Sequence, residues 1–170
     1  MPNVAGDPRP VAAVRGSRGR VAAGIVAVIV VVDQATKAWA VANLEPGRPE
    51  SIIGTDVELR LSYNSGSAFS LFRGFTPLLA LLAIGIAFVL VRAVRKTEDT
   101  WTLVALGLVL GGALGNLADR VFRAPSFLSG RVVDFIGIGS WPTFNVADSA
   151  ITVGAVLLLV LAFVPRRSAA

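Results

Sequence analysis

The sequence contains neither cysteine nor histidine, and these two absences exclude whole classes of chemistry. Without cysteine the chain has no disulfide and no thiol nucleophile, and without histidine it lacks an imidazole base and the common zinc ligand sets. Any catalysis must therefore depend on carboxylates, hydroxyls, lysine or arginine. Charged residues are also scarce, at 16% of 170 residues, whereas apolar residues reach 54%. Soluble domains carry more charge than this, so the composition predicts a membrane protein.

Four apolar stretches are long enough to cross a bilayer, which takes roughly 20 residues in a helix. They predict an all-α membrane protein with transmembrane helices at about 21–42, 75–92, 101–122 and 144–164. These spans form a single domain, residues 21–165. It is flanked by a disordered tail at 1–20 and a short tail at 166–170. The first stretch also resembles a cleavable signal peptide, but cleavage there would remove an ionisable pair that suggests function.

Basic residues cluster at the ends of the predicted spans. Three groups precede the first span, separate the second from the third and follow the fourth: Arg9, Arg15, Arg18 and Arg20; Arg92, Arg95 and Lys96; Arg166 and Arg167. The positive-inside rule places all three groups in the cytoplasm, which requires an even number of crossings and puts both termini there. No soluble face collects these charges, so we expect no nucleic-acid partner.

The segment between the first two spans has a different pattern. Val57, Leu59, Leu61 and Tyr63 alternate with polar residues, as in a half-buried strand. We expect a small extracytoplasmic β-strand region beside the helix ends.

Ionisable residues within spans are costly and tend to mark function. Five lie within or at the edge of spans, with a sixth in the external loop close by, and all six face the same side of the membrane: Asp33, Lys37, Asp119, Arg120, Asp148 and Asp134. The other halves of the spans are apolar. A small proton-linked transporter would need a continuous polar path, which makes that alternative less favourable.

Asp33 and Lys37 are four residues apart, so on a helix they can form an ion pair. A structural tether and a proton or ion relay both fit this spacing. Asp119 has Arg120 beside it and Arg123 one turn on, and we expect it to be paired and structural. Gly111, Gly112 and Gly115 permit close helix contact, which is all that a noncatalytic scaffold protein would require of them.

Asp134 and Asp148 lie in contrasting settings. Asp134 is surrounded by apolar residues in RVVDFIGIG, which favours a protonated carboxyl, whereas Asp148 falls in the first turn of a helix, where the dipole favours a carboxylate. A general acid and a general base need such a difference, and aspartic peptidases share one proton between two carboxylates. The alternative reading is a helix cap and a solvated loop charge, and spacing alone does not decide.

Five segments together resemble the bacterial lipoprotein signal peptidase family, also called signal peptidase II. In order along the chain they are DQATK (33–37), NSGSAFS (64–70), GGALGNLADR (111–120), VVDFI (132–136) and FNVADSA (144–150). The resemblance covers nearly the whole chain after the tail.

The resemblance implies an aspartic endopeptidase of the bacterial inner membrane that cleaves prolipoproteins before their diacylglyceryl-modified cysteine. It makes Asp134 and Asp148 the catalytic pair and implies sensitivity to globomycin, with no metal or other cofactor. Other family residues carry over as substrate-binding or supporting residues (Asn64, Gly112, Asn116, Arg120, Asn145) and as structural polar residues (Asp33, Lys37, Asp119). Diacylglyceryl-modified prolipoproteins and membrane lipids are the expected partners of a monomeric enzyme with its site near the outer face.

Two features depart from the family pattern. The Val121 to Arg131 stretch is longer than we expect between the third and fourth segments, and the arginine-rich N-terminal tail is an extension. Flexible residues make the NSGSAFS loop and the Val121 to Arg131 stretch candidates for a movable lid.

Overall fold

The computed structural model describes residues 11–54, 56–66 and 76–164, with side chains from Arg18 onward. Within these ranges the elements are α1 (Val11–Asn43), β1 (Glu50–Ile53), β2 (Val57–Asn64), α2 (Thr76–Lys96), α3 (Thr100–Phe122), β3 (Val132–Ile138) and α4 (Val146–Phe163). All four helices are long and apolar enough to cross a membrane, which confirms the four predicted spans. The bounds of α2, α3 and α4 agree with the prediction to within a few residues.

Helix α1 extends further toward the N-terminus than predicted. It begins at Val11, whereas the predicted tail runs to residue 20. Hydropathy identifies the apolar part of a helix but not its start, and no proline interrupts the sequence from 11 to 43. Residues Arg18–Asn43 of this helix are long and apolar enough to cross a membrane. Residues 1–10 and 165–170 lie outside the described residues, and with them the first half of the predicted tail at 1–20 and the whole predicted tail at 166–170.

Helix α3 packs against each of the other three helices. Its glycines make this possible. A Cβ on Gly111 would come within 2.8 Å of Ile29 on α1, and a Cβ on Gly112 would overlap the carbonyl oxygen of Ala147 on α4. Because glycine has no side chain, α1 and α4 can approach the α3 backbone from different sides at these two positions.

The three strands form one antiparallel sheet in the order β1-β2-β3. Strand β2 was predicted from its alternating pattern, but the assignment of Asp134 to a loop was wrong, because Asp134 lies within β3. Strand β3 is buried on both faces, and a strand of this kind has a continuous apolar run in place of alternation. In the register of the sheet Asp134 pairs with Ser62, and Val132 pairs with Asn64.

The sheet packs on the C-terminal end of α1. Ala40 and Leu44 of the helix end form a buried apolar cluster with Leu61, Val133 and Phe135 of the sheet. This cluster fixes the sheet across one end of the helix bundle, which is also the end where the ionisable residues gather.

Candidate active site

Asp148 lies in the first turn of α4 and takes part in its N-terminal cap. Asn145 is the N-cap residue. Its side-chain oxygen accepts a bond from the backbone amide of Asp148 (2.9 Å), and its backbone amide donates to Asp148 Oδ2 (3.2 Å). This reciprocal capping box fixes the Asp148 side chain against the helix end. The other carboxylate oxygen, Oδ1, accepts a bond from Asn116 Nδ2 (2.8 Å) and lies outside the cap.

Asp134 is held next to the same cap. Phe144 pairs with Ile136 of β3 in an isolated bridge, so the chain entering α4 runs along the strand. Asn145 follows directly, and its Nδ2 donates to Asp134 Oδ1 at 2.6 Å. One buried amide side chain therefore contacts both aspartates. Asp134 is only 2% exposed, so the reading of it as a solvated loop charge is wrong.

The surroundings of Asp134 favour its protonated form. Burial, and then the negative charge of Asp148, raise the pKa of Asp134 from 3.8 to about 6, although hydrogen bonds from Asn64 and Asn145 and the charge of Lys37 act in the opposite sense. Asp148 is less buried, and each of its two carboxyl oxygens accepts one hydrogen bond. The raised pKa of Asp134 has the direction that its apolar setting in the sequence predicted.

A buried ion cluster lies beneath this pair. Lys37 Nζ is 2.9 Å from Asp33 Oδ2 and 2.9 Å from Asp119 Oδ2, and all three side chains are fully buried. The ion pair expected from the spacing of Asp33 and Lys37 is therefore present. The second carboxylate, from α3, was not foreseen, because no local pattern connects residues so far apart in the sequence.

Asp119 joins three elements through one carboxylate. Besides Lys37 of α1, it accepts bonds from Arg123 Nε at 2.6 Å and from the backbone amide of Val133 in β3 at 3.1 Å. The expected arginine partner is thus Arg123. Arg120 forms no ion pair with a described residue, because neighbouring helix residues point in different directions. Its Nε is buried and has no partner among the described residues.

Asn116 connects the ion cluster to the aspartate pair. Its Oδ1 accepts bonds from Lys37 Nζ (2.9 Å) and from Asn145 Nδ2 (3.2 Å), and its Nδ2 donates to Asp148. Because both bonds to Oδ1 come from donors, the amide can adopt only the orientation that presents Nδ2 to Asp148. The buried lysine therefore determines which atom of Asn116 faces the candidate dyad.

Three further contacts of this site were not predicted from the sequence. Asp33 Oδ1 accepts a bond from the backbone amide of Ala147 at 2.9 Å, so a residue of α1 caps α4. Gln34, also in the DQATK segment, donates to Asp33 (3.1 Å) and Asp119 (3.2 Å). The clustering of polar residues in an otherwise apolar helix was the available signal, but nothing local identified their partners.

A groove of about 720 Å³ opens beside Asp148. Its described walls come from the end of β3, the following turn and the first turns of α4: Ile138, Gly139, Ser140, Trp141, Phe144, Asp148, Ser149, Thr152 and Val153. Most of the exposed wall is apolar, so an extended apolar peptide would fit beside a carboxylate. Across residues 18–54, 56–66 and 76–164 no group of three or more acidic side chains is placed to hold a metal ion.

The sequence matches the model of the family described as signal peptidase (SPase) II over residues 25–164. The chain belongs to the signal peptidase II family. A lipoprotein signal peptidase of Rhodococcus jostii is 54% identical over 140 residues, covering 82% of this chain and 71% of the relative. One from Mycobacterium leprae is 49% identical over 144 residues, covering 85% and 72%.

The fold agrees with this assignment. A solved bacterial membrane enzyme, determined by the in meso method at 1.9 Å, superposes with a TM-score of 0.76 at 29% identity. The match covers 87% of this chain and 94% of that chain. The chain is therefore a membrane-embedded signal peptidase with four spans and a small sheet, as the resemblance implied.

The structure brings most of the residues carried over from the signal peptidase II family to one place. Asn145 contacts both aspartates, and Asn116 donates to Asp148 and accepts a bond from Asn145. Gly112 lets α4 approach α3 directly below them. Asn64 reaches Asp134 from β2. Its side chain also accepts a bond from the amide of Gly66 at 2.7 Å. The rest of the NSGSAFS segment lies outside the described residues, so the lid stays a prediction.

Proposed function

We propose that Asp134 and Asp148 are the catalytic pair with which this chain removes signal peptides from prolipoproteins, cleaving before the diacylglyceryl-modified cysteine. Membership of the signal peptidase II family supports the peptidase activity, and the names of the relatives support lipoprotein processing. The observation that carries the assignment of the pair is Asn145, which contacts both carboxyl groups within one helix cap: its side-chain Nδ2 donates to Asp134 and its backbone amide donates to Asp148.

Aspartic catalysis needs one carboxylate to activate water and one carboxylic acid to protonate the attacked carbonyl oxygen. Asp148 suits the base: it lines the groove, and Asn116 and the cap stabilise its charge. Asp134 suits the acid, because burial keeps its pKa near 6. Water then adds to the carbonyl carbon, its proton passes to Asp148, and Asp134 protonates the oxygen. The intermediate then collapses: Asp148 passes its proton to the nitrogen of the lipidated cysteine as the C–N bond breaks, and Asp134 takes back the proton of the hydroxyl group.

Arg120 is placed to help bind the peptide backbone. Its Nη1 donates only a long bond of 3.3 Å to the Asn116 carbonyl, and its Nε is buried with no partner among the described residues. An unsatisfied buried donor is costly, so a substrate carbonyl that accepts from it would be bound favourably. The proposed role of Arg120 is therefore to hold the substrate.

The proposed topology places the sheet end of the bundle at the outer face of the inner membrane. The basic groups at the opposite ends of the helices support this orientation, with both termini in the cytoplasm. A substrate with two acyl chains would enter sideways from the bilayer, with its lipid still in the membrane and its signal segment in the apolar groove. In this proposal a single copy suffices, the partners are prolipoproteins and membrane lipids, and no nucleic acid or cofactor takes part.

The test is cleavage of a diacylglyceryl-modified prolipoprotein by the purified protein in detergent, with globomycin added in a parallel reaction. Asp134→Asn and Asp148→Asn should each abolish turnover without loss of folding. Asp56→Asn is the matched control, because Asp56 is an exposed aspartate in the β1–β2 turn and should retain full activity. Normal cleavage by either active-site variant would refute the pair, and no cleavage by folded wild type would favour the transporter or scaffold interpretation.

A further inference from the structure

The segment between α3 and β3, residues 123–131, folds back on the end of α3. The amide of Gly130 donates to the carbonyl of Arg120 (3.0 Å), and the amide of Arg131 donates to that of Ala124 (3.2 Å). Gly130 allows this approach, since a Cβ there would overlap the carbonyl oxygen of Asp119. The two ends of the segment therefore lie side by side. This is the stretch that departs from the family pattern, and the proposed catalysis does not use it.

The closure places Arg123 and Arg131 in the wall of one cavity of about 530 Å³. The other described residues of the wall are Val41, Tyr63, Ala124 and Pro125, so none of the described lining residues is acidic. This cavity is separate from the groove beside Asp148, with which it shares no lining residue. Two guanidinium groups around one open space repel each other, and a bound anion would relieve that repulsion.

The charges behind the cavity leave one positive charge uncompensated. Asp33 and Asp119 balance Lys37 and Arg123 within the buried cluster. Arg123 binds Asp119 through Nε, so this bond leaves its terminal nitrogens available. The side chain of Arg131 is exposed and has no ion-pair or hydrogen-bond partner among the described residues. A ligand with a single negative charge would therefore match the site.

The position of the cavity indicates a lipid. Arg123 directly follows Phe122, the last residue of a membrane-spanning helix, so the arginines lie where hydrocarbon gives way to headgroups. Phe122, the neighbour of Arg123 in the chain, is 85% exposed, and Phe127 within the segment is 71% exposed, so both offer apolar surface to acyl chains. A soluble phosphate ion would make no use of that surface.

We infer that Arg123 and Arg131 bind the phosphodiester of an anionic phospholipid headgroup, of the phosphatidylglycerol type. Guanidinium groups bind phosphate oxygens with paired, charge-assisted hydrogen bonds. A zwitterionic phospholipid presents the same phosphate, but its ammonium group would meet the uncompensated charge of Arg131. The site should therefore discriminate between the two lipid classes. This inference depends only on the cavity and its charges, and it holds whether or not the proposed dyad is correct.

The experiment is native mass spectrometry of the delipidated full-length protein in detergent, titrated with phosphatidylglycerol or with phosphatidylcholine. Wild type should bind one phosphatidylglycerol at least about ten-fold more tightly than phosphatidylcholine, and Arg131→Gln should lose that preference. Arg123→Gln should lose it as well. Arg48→Gln is the matched control, because Arg48 is an exposed arginine after α1 that lies outside the cavity, and its variant should bind as wild type does.

Three outcomes would overturn the inference. Equal affinity for the two lipids would exclude a headgroup site of this kind, and unchanged binding by Arg131→Gln, whose side chain no described residue depends on for an ion pair, would exclude these arginines. Displacement of the lipid by millimolar inorganic phosphate would assign the cavity to soluble anions. Loss of lipid binding in Arg131→Gln with normal prolipoprotein cleavage would still support the lipid site.

Discussion

Replacing Lys37 with methionine tests whether charge balance in the buried cluster sets the stability of the helix bundle. The Lys37 ammonium is 2.9 Å from the carboxylates of Asp33 and Asp119, all fully buried. Methionine has a similar length, so the change removes the charge with little loss of packing. Removing one member of a buried ion pair typically costs about 3–5 kcal/mol, because the remaining charge is left uncompensated. We expect Lys37→Met to fall in this range.

Most of this loss should arise at Asp33. In the variant Asp119 keeps the Arg123 guanidinium at 2.6 Å, whereas Asp33 keeps only neutral donors, the Gln34 side chain and the Ala147 amide. Adding Asp33→Asn restores neutrality and leaves an oxygen that can still cap α4. The double variant should therefore recover more than about 2 kcal/mol of the lost stability.

The assay is denaturant-induced unfolding in micelles, followed by far-ultraviolet circular dichroism. Arg123→Met serves as the control, since it also removes a cation from Asp119 but leaves the Asp33–Lys37 pair intact. The Arg123 side chain is 28% exposed, so a smaller loss of about 1–2 kcal/mol is expected. If the double variant is no more stable than Lys37→Met alone, charge balance is not what holds this cluster.

Two further predictions concern the dyad and the helix contacts. Folding raises the pKa of Asp134 from 3.8 to about 6, so the protonated carboxyl makes the free energy of unfolding roughly 3 kcal/mol larger below pH 3.8 than above pH 6. This stabilisation is lost as the pH rises through 6. The free energy of unfolding of wild type should decline between these pH values. The same decline in Asp134→Asn would show that Asp134 is not its cause. Gly112→Ala should destabilise the bundle by about 1–3 kcal/mol and lower the rate of cleavage, because the new Cβ meets Ala147 and Ile151 at the start of α4. Gly85→Ala, which meets nothing within 4 Å, should neither destabilise the bundle nor slow cleavage, and equal effects of the two glycine variants would refute the packing argument.

Local sequence patterns predicted the elements that are uniformly apolar or that bury only one face. Hydropathy located the helices, and alternation located β2, since its two faces have different surroundings. Strand β3 was not predicted because it is buried on both faces, and the pairing of Phe144 with Ile136 that brings Asn145 to Asp134 produces no periodic pattern in the sequence. The early start of α1 was not predicted, because the helix continues beyond the apolar residues from which hydropathy identifies it.

The sequence by itself determined that the chain spans a membrane four times, that thiol and imidazole chemistry are excluded, and that Asp134 and Asp148 were the candidate acid–base pair. It could do so because hydrophobicity, helical spacing and residue chemistry are local properties. Only the tertiary structure decided which residues contact each other: Lys37 pairs with Asp119, Asp33 caps the N-terminal end of α4, and Asn145 lies between the two aspartates. These contacts join residues far apart in the chain, and their energies depend on burial and distance, which exist only after the helices have packed.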